Sequence, residues 1–307
     1  MFARQIRLAG IVLLVLFMGQ TGAYCQTQDF ANVQIQTEKV ADNIFMLTGA
    51  GGNIGVSAGK DCVFMIDTSY APLADKIKAA IASVSGKPIR YVVNTHWHQD
   101  HVGGNENFAK LGATVVAHEN VRKRVNTEQF VKLMNKTIPP LPESALPVIT
   151  FSQNMTFYLN GNEIFIFNIR RAHTDGDAIV HFKKSNVIHM GDIYFNGAYP
   201  FIDLSAGGSI NGMIAAVKRI LSLCDQNTKV IPGHGHLSNK AELGEYLKML
   251  VAVRDRINRE IKAGKPLDAV IASKPIQDLD PVWGKGFMKP ELFVTIVYES
   301  LANERSR

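Results

Sequence analysis

Short apolar runs separated by glycine-rich or proline-rich breaks fill the chain from about residue 30 to residue 240. Phe30 to Val40 reads as extended. Asn43–Thr48, Ile54–Ala58 and Cys62–Ile66 are β-branched and aromatic-rich segments, and Gly49-Ala50-Gly51-Gly52-Asn53 and Gly59-Lys60-Asp61 between them read as the turns of a meander. From Leu73 to Ser83 the pattern changes to helical spacing, with Leu73, Ile77, Ala80 and Ile81 on one face. Ile89–Val93 and Thr114–Ala117 are further strands, and Gly103–Lys110 and Glu119–Met134 read as helices. Lys136 to Pro147 then holds four prolines among twelve residues and reads as a surface excursion rather than an element.

Strands resume at Met155–Tyr158 and Glu163–Asn168, joined by the hairpin turn Asn160-Gly161-Asn162, and continue at Ala178–Phe182, Asn186–Met190 and Lys229–Ile231. Ser209–Leu223 has an amphipathic pattern. Leu243, Leu247, Leu250, Val253, Ile257 and Ile261 mark one face of a helix over 240–262, and Glu291–Leu301 forms a last helix. The strands thus fall into two groups, each followed by helices, which predicts an α/β (α+β) chain with two sheets face to face and helices outside. No internal repeat or linker divides it.

The first 25 residues depart from this pattern. Arg4 and Arg7 precede the apolar run Leu8–Met18, and small residues follow up to Cys25, the layout of a signal peptide too short to span a membrane. Its removal after Ala23 or Cys25 implies an exported, periplasmic or secreted protein with no stable membrane span. Without those two arginines, 31 basic residues face 27 acidic ones, a charge of +4. The basic runs Arg122-Lys123-Arg124 and Arg170-Arg171 are too short to mark a nucleic-acid binder, so a small-molecule substrate is the expected partner. Cys62 and Cys224 lie in apolar segments as core residues, with no disulfide framework.

The densest chemistry lies in Asn94-Thr95-His96-Trp97-His98-Gln99-Asp100-His101-Val102-Gly103-Gly104. Three imidazoles and a carboxylate within six residues, on the loop leaving the strand Ile89–Val93, are a donor set suited to zinc and its first-row neighbours. Further donors sit at other strand ends: His173 in Arg171-Ala172-His173-Thr174-Asp175-Gly176-Asp177, Asp192 after Val187–Gly191, and His234 in Pro232-Gly233-His234-Gly235. His118 and His181 read as structural, His189 as a core residue or a support for a ligand, and His236 as a solvated or mouth-lining residue. Asp67 is placed to accept the second N–H of a ligand histidine, Asp177 to do likewise or to cap its turn, and Trp97 to pack.

These motifs, in this order, resemble the metallo-β-lactamase superfamily over roughly Val33 to Asn239. The resemblance implies a four-layer αββα sandwich with a catalytic domain over 26–240 and extra C-terminal helices, 241–307, packed on it. It implies a dinuclear centre with two Zn2+, iron or manganese being the other metals such sites take. His96, His98 and His173 would hold one ion, Asp100, His101 and His234 the other, with Asp192 bridging as in glyoxalase II-like members. Many true β-lactamases of this fold carry a cysteine at that place or nothing, which shifts the expectation towards other carbonyl substrates. The implied reaction is attack by a metal-bridging hydroxide, oriented by Asp100, on a β-lactam, lactone, ester or thioester. Export disfavours a glutathione thioester. A nuclease or phosphodiesterase of the same fold, an iron-dependent oxidoreductase and a non-catalytic metal-binding module are the competing classes. The segments Gly49–Asn53, Lys136–Pro147 and Phe195–Phe201 are expected to overhang the metals, with Tyr199 and Phe201 as apolar walls.

Overall fold

The computed structural model describes residues 29–132 and 135–305. The predicted leader lies outside them. Strands β1 (Gln36–Ala41), β2 (Ile44–Thr48), β3 (Ile54–Ala58) and β4 (Val63–Ile66) form an antiparallel meander. The chain then crosses through α1 (Ala74–Ala82) to the parallel strand β5 (Ile89–Asn94), and through α2 (Gln99–Val102) and α3 (Asn105–Lys110) to β6 (Thr114–His118). Helix α4 (Glu119–Val125) leads into a separate hairpin, β7 (Gln129–Val131) with β8 (Lys136–Ile138), before β9 (Ile149–Phe151) completes the first sheet beside β6.

The second sheet begins with the antiparallel strands β10 (Asn154–Leu159), β11 (Asn162–Asn168), β12 (Ala178–Phe182) and β13 (Val187–His189). Helix α5 (Ile210–Leu223) crosses to β14 (Lys229–Ile231), parallel to β13, and β15 (Ser238–Asn239) closes the edge. Helices α6 (Lys240–Lys262), α7 (Leu267–Ala272), α8 (Asp280–Trp283) and α9 (Pro290–Arg305) follow.

Period-2 alternation sorts the strand residues into layers. On β4, Phe64 and Ile66 point between the sheets, where they meet Ile164, Ile166, Val180 and Phe182 of the second sheet. Val63 and Met65 point the other way, against Leu73, Ile77 and Phe108 of the outer helical layer. Both faces are therefore buried, which is why the strand reads as an unbroken apolar run. Each such side chain contributes about 1.5–3 kcal/mol on leaving water. Ile188 and Val230 face the opposite helical layer, in one cluster with Ile214, Val217, Leu243, Leu250, Val253 and Phe293. The C-terminal helices thus share the core of the second sheet. The result is a four-layer αββα sandwich.

Three expectations are corrected. The helix over 119–134 stops at Val125: Asn126 caps it, its N–H bonding Arg122 O, and the Arg124 guanidinium holds Gln129 Oε1 at 2.9 Å across the turn. Beyond the turn Phe130 is exposed and Val131 buried, which is strand alternation. The proline-rich stretch is not structureless, since β8 occupies its start and a 3-10 turn, Glu143–Ala145, lies near its end. Asp192 does not end a strand but lies in the 3-10 turn Gly191–Ile193 after β13. Among the described residues no helix is long and apolar enough to cross a membrane.

Candidate metal centre

The parallel strands end at one edge of the sandwich and deliver their donors there. Asp67 follows β4, the His96–His101 run follows β5 and enters α2, and Asp192 and His234 follow β13 and β14. His173 arrives on the loop between β11 and β12. Ligand atoms of His96, His98, His173 and Asp192 lie within 4.8 Å of one another, and so do those of Asp100, His101 and His234. Asp192 sits between the groups: Oδ2 is 3.8 Å from His96 Nε2, 3.7 Å from His173 Nε2 and 3.3 Å from His234 Nε2, and Oδ1 is 3.1 Å from His101 Nε2. Asp100 Oδ2 is 3.3 Å from His234 Nε2 and 3.5 Å from His101 Nε2.

The partners of the second ring nitrogens assign the tautomers. Asp67 Oδ2 accepts from His101 Nδ1 at 2.8 Å and from Thr95 Oγ1 at 2.7 Å, so Thr95 Oγ1 in turn accepts from His96 Nδ1 at 3.0 Å. One buried carboxylate therefore orients two imidazoles, His101 directly and His96 through a hydroxyl. Asp67 holds this place with φ at 64°, a left-handed conformation uncommon outside glycine. His98 donates Nε2–H to Asp203 Oδ2 at 3.0 Å, and His173 donates Nδ1–H to the Phe201 carbonyl at 2.8 Å. With those protons committed, His98 Nδ1 and His173 Nε2 turn lone pairs towards each other at 2.9 Å.

Two facing acceptors at that distance repel unless a cation lies between them. His96 Nε2, His101 Nε2 and Asp192 Oδ1 are also buried without a hydrogen-bond partner, although His101 and Asp192 face each other closely. Burial, reinforced by His101, holds the His96 imidazolium well below its ordinary range, and burial with His98 lowers His173 to about 4. Burial alone would raise the Asp192 carboxyl, but the facing His234, His101 and His96 hold it well below the usual range. Burial would lower His101 and His234 too, but the facing Asp192 and Asp100 raise both, His234 to about 9. These two rings would exchange a proton for a cation, whereas His96, His173 and Asp192 already hold the charge states that bind one. The donor set fits a metal pair.

Glycine is obligatory at two places around the cluster. A Cβ on Gly52 would lie 2.1 Å from His101 Cε1, and one on Gly233 would lie 2.1 Å from Asp192 Oδ1. The turn over 49–53 therefore backs the His101 ring, with Asn53 tied by its side chain to Pro232 O and Gly235 O, while Gly51 alone of this turn reaches the cavity.

The remaining assignments resolve as follows. His118 caps α4, Nδ1 accepting from Asn120 N, and His189 is a core residue that bonds Asn53 O. His181 is half-buried on β12 and takes no part in the cluster. His236 is exposed and does not line the cavity. Asp177 caps its own loop through His173 N and Thr174 N and touches no ligand ring. Cys62 and Cys224 are buried and free.

Asp203 escaped sequence reasoning. Its one signal is an acid closing the apolar run Tyr199-Pro200-Phe201-Ile202, a place where a carboxylate must be buried and paired. A cavity of about 820 Å3 opens above the cluster, with Asp100, Asp192, His98 and His234 in its floor. The 195–201 segment lines it as foreseen. So do Phe30, the hairpin residues Val131, Lys136 and Ile138, and the C-terminal residues Gly286, Phe287 and Met288. Tyr199 is a pillar more than a wall: its ring stacks on Phe293 and its hydroxyl donates to Asp280.

Residues 47–251 match the family model of the metallo-beta-lactamase superfamily. The chain belongs to that superfamily. It is 23% identical over 246 residues to a metallo-beta-lactamase type 2 of Elizabethkingia meningoseptica, covering 77% of this chain and 92% of that protein. It is 27% identical over 172 residues to a hydroxyacylglutathione hydrolase of Polaromonas sp., covering 55% of this chain and 57% of that enzyme. Among solved structures, a metallo-beta-lactamase from Pontibacter korlensis superposes with a TM-score of 0.58 at 19% identity, over 71% of this chain and 99% of the other, a likeness of fold. The superfamily's members are generally hydrolases, and the His and Asp cluster here fits its metal site. Phe30 and residues 286–288, which also line the cavity, lie outside the matched stretch.

Proposed function

We propose that this protein is an exported hydrolase that holds two zinc ions and cleaves a carbonyl substrate, a β-lactam, lactone or other ester. His96, His98 and His173 would hold one ion, Asp100, His101 and His234 the second, and Asp192 would bridge. The observation that carries this reading is the pair of lone pairs 2.9 Å apart on His98 and His173, each imposed by a proton committed elsewhere. When bound, the ions supply Lewis acidity and lower the pKa of water between them.

The chain's own groups do the rest. Asp100, 20% exposed at the cavity floor against 5% for Asp192, is the carboxylate better placed to accept a hydrogen bond from the attacking water and to aim it. Asp67, Thr95, Asp203 and Phe201 O keep four of the five ligand imidazoles, those of His101, His96, His98 and His173, in the tautomer that presents a lone pair inwards. The aromatic walls exclude bulk water, which strengthens the electrostatics acting on the reacting carbonyl. No nucleophilic side chain is required.

The test is hydrolysis by the purified protein with two equivalents of zinc, using a chromogenic cephalosporin beside lactones and aryl esters. Chelator-sensitive turnover of any of them is the expected result. Silence across the panel, with phosphodiesters cleaved instead, would overturn it.

A further inference from the structure

The hairpin of β7 and β8 presents one face to the cavity, and the register shows which residues share it. Val131 pairs with Lys136 and Gln129 with Ile138, and directly opposite residues lie on the same side of a ribbon. Lys136 and Ile138, two apart, share it as well. The other face carries Phe130, which is exposed. Lys136 thus points with Val131 and Ile138 towards the cavity, and it is the one lysine or arginine among the lining residues.

Its charge is uncompensated. Among the described residues Lys136 forms no ion pair and no side-chain hydrogen bond, whereas Arg124 before the hairpin pairs with Asp175 and Lys132 with Glu299. The carboxylates in the cavity, Asp100 and Asp192, belong to the metal-site cluster on its floor. The same cavity has apolar lining: Trp97 and Phe201 pack on His98, Phe195 stacks on His234, and Met288 lines it as well. A cation, a metal site and hydrocarbon in one cavity describe the complement of an amphiphile.

We infer that the cavity takes an anionic amphiphile, a substrate with an apolar body along the aromatic wall and a carboxylate- or sulfonate-like group on Lys136, remote from the bond that is cleaved. This rests on the hydrolase reading for its chemistry but not for its binding. The test is calorimetric titration of the zinc-loaded protein with octanesulfonate, a poor metal ligand, and with 1-octanol as its neutral counterpart, in the native chain, Lys136→Gln and Lys136→Arg.

Octanesulfonate should bind about fivefold more weakly to Lys136→Gln, the factor of one half-exposed ion pair, with Lys136→Arg close to native and octanol indifferent to all three. Equal sulfonate binding in Lys136→Gln would overturn the subsite and leave the lysine as a guard of the hairpin edge. Failure of octanol to bind would overturn the apolar body. Lysine-dependent binding by a protein that hydrolyses nothing would uphold the subsite and overturn the hydrolase reading alone.

Discussion

Asp203 Oδ2 accepts a hydrogen bond from His98 Nε2 at 3.0 Å although 105 residues separate them. The carboxylate is 1% exposed and is itself fixed by Ser205 Oγ and Ala206 N. Removing it frees the imidazole to rotate and to change tautomer. Asp203→Ala should weaken metal binding by about 10–100-fold in chelator competition, and Asp203→Asn, which keeps an acceptor oxygen, by less. Equal affinities in all three proteins would show that His98 needs no such support.

Asp100 separates turnover from metal binding. Its carboxylate lies at the cavity floor, and without it His101 and His234 would remain as donors to the same ion. Asp100→Asn should keep most of the metal, measured by elemental analysis, and lower kcat/KM by about 10²–10⁴-fold, the range of a positioned acid–base group. Full activity would dismiss its role in aiming the water.

Gly52 has no room for a methyl group, because the His101 ring occupies the place, and Gly52 N is tied to Asp100 O at 3.3 Å. Gly52→Ala should cost about 1–3 kcal/mol in denaturant unfolding through overpacking and should displace His101, lowering the metal content from two equivalents towards one. Native stoichiometry at native stability would mean that the turn yields freely.

His118 gives a pH dependence with a definite sign. Burial lowers its pKa, outweighing the pull of Ser152 O, and its neutral ring caps α4. A histidine whose folded pKa lies below its unfolded value of about 6.5 contributes stability that is complete above that pH and is lost as pH falls below it. His118→Ala should therefore cost about 1 kcal/mol at pH 7.5, the worth of an N-cap, and less at pH 5. Parallel pH profiles of unfolding free energy for the two proteins would contradict this.

Strands such as β4 were legible because burial on both faces writes them as continuous apolar runs, β10 by its alternation, and the first donors because six residues hold four of them. The three-residue β9 was not legible. Asp67, Asp192 and His234 were legible as polar residues at the ends of such runs. Asp203 was not, because its partner is set by how a loop folds back and no local spacing encodes that. The β7–β8 hairpin was hidden for a related reason: a short segment such as Gln129-Phe130-Val131 satisfies helical and alternating patterns alike, and only the cap at Asn126 decides between them. The wall made by Phe287 and Met288 was invisible because those residues follow α8 far from any donor.

The seven donors are divided between the sheets, four following β5 in the first and three carried by the second. The unfolded chain therefore offers an ion only the fragment His96–His101, and the complete set exists once the two sheets have closed on each other. Tight metal capture would then be a late event of folding. By mass action a bound ion would act as a clasp on that edge, holding the sheets shut with a free energy that grows with the free metal concentration, so the protein's resistance to unfolding would follow the metal supply around it.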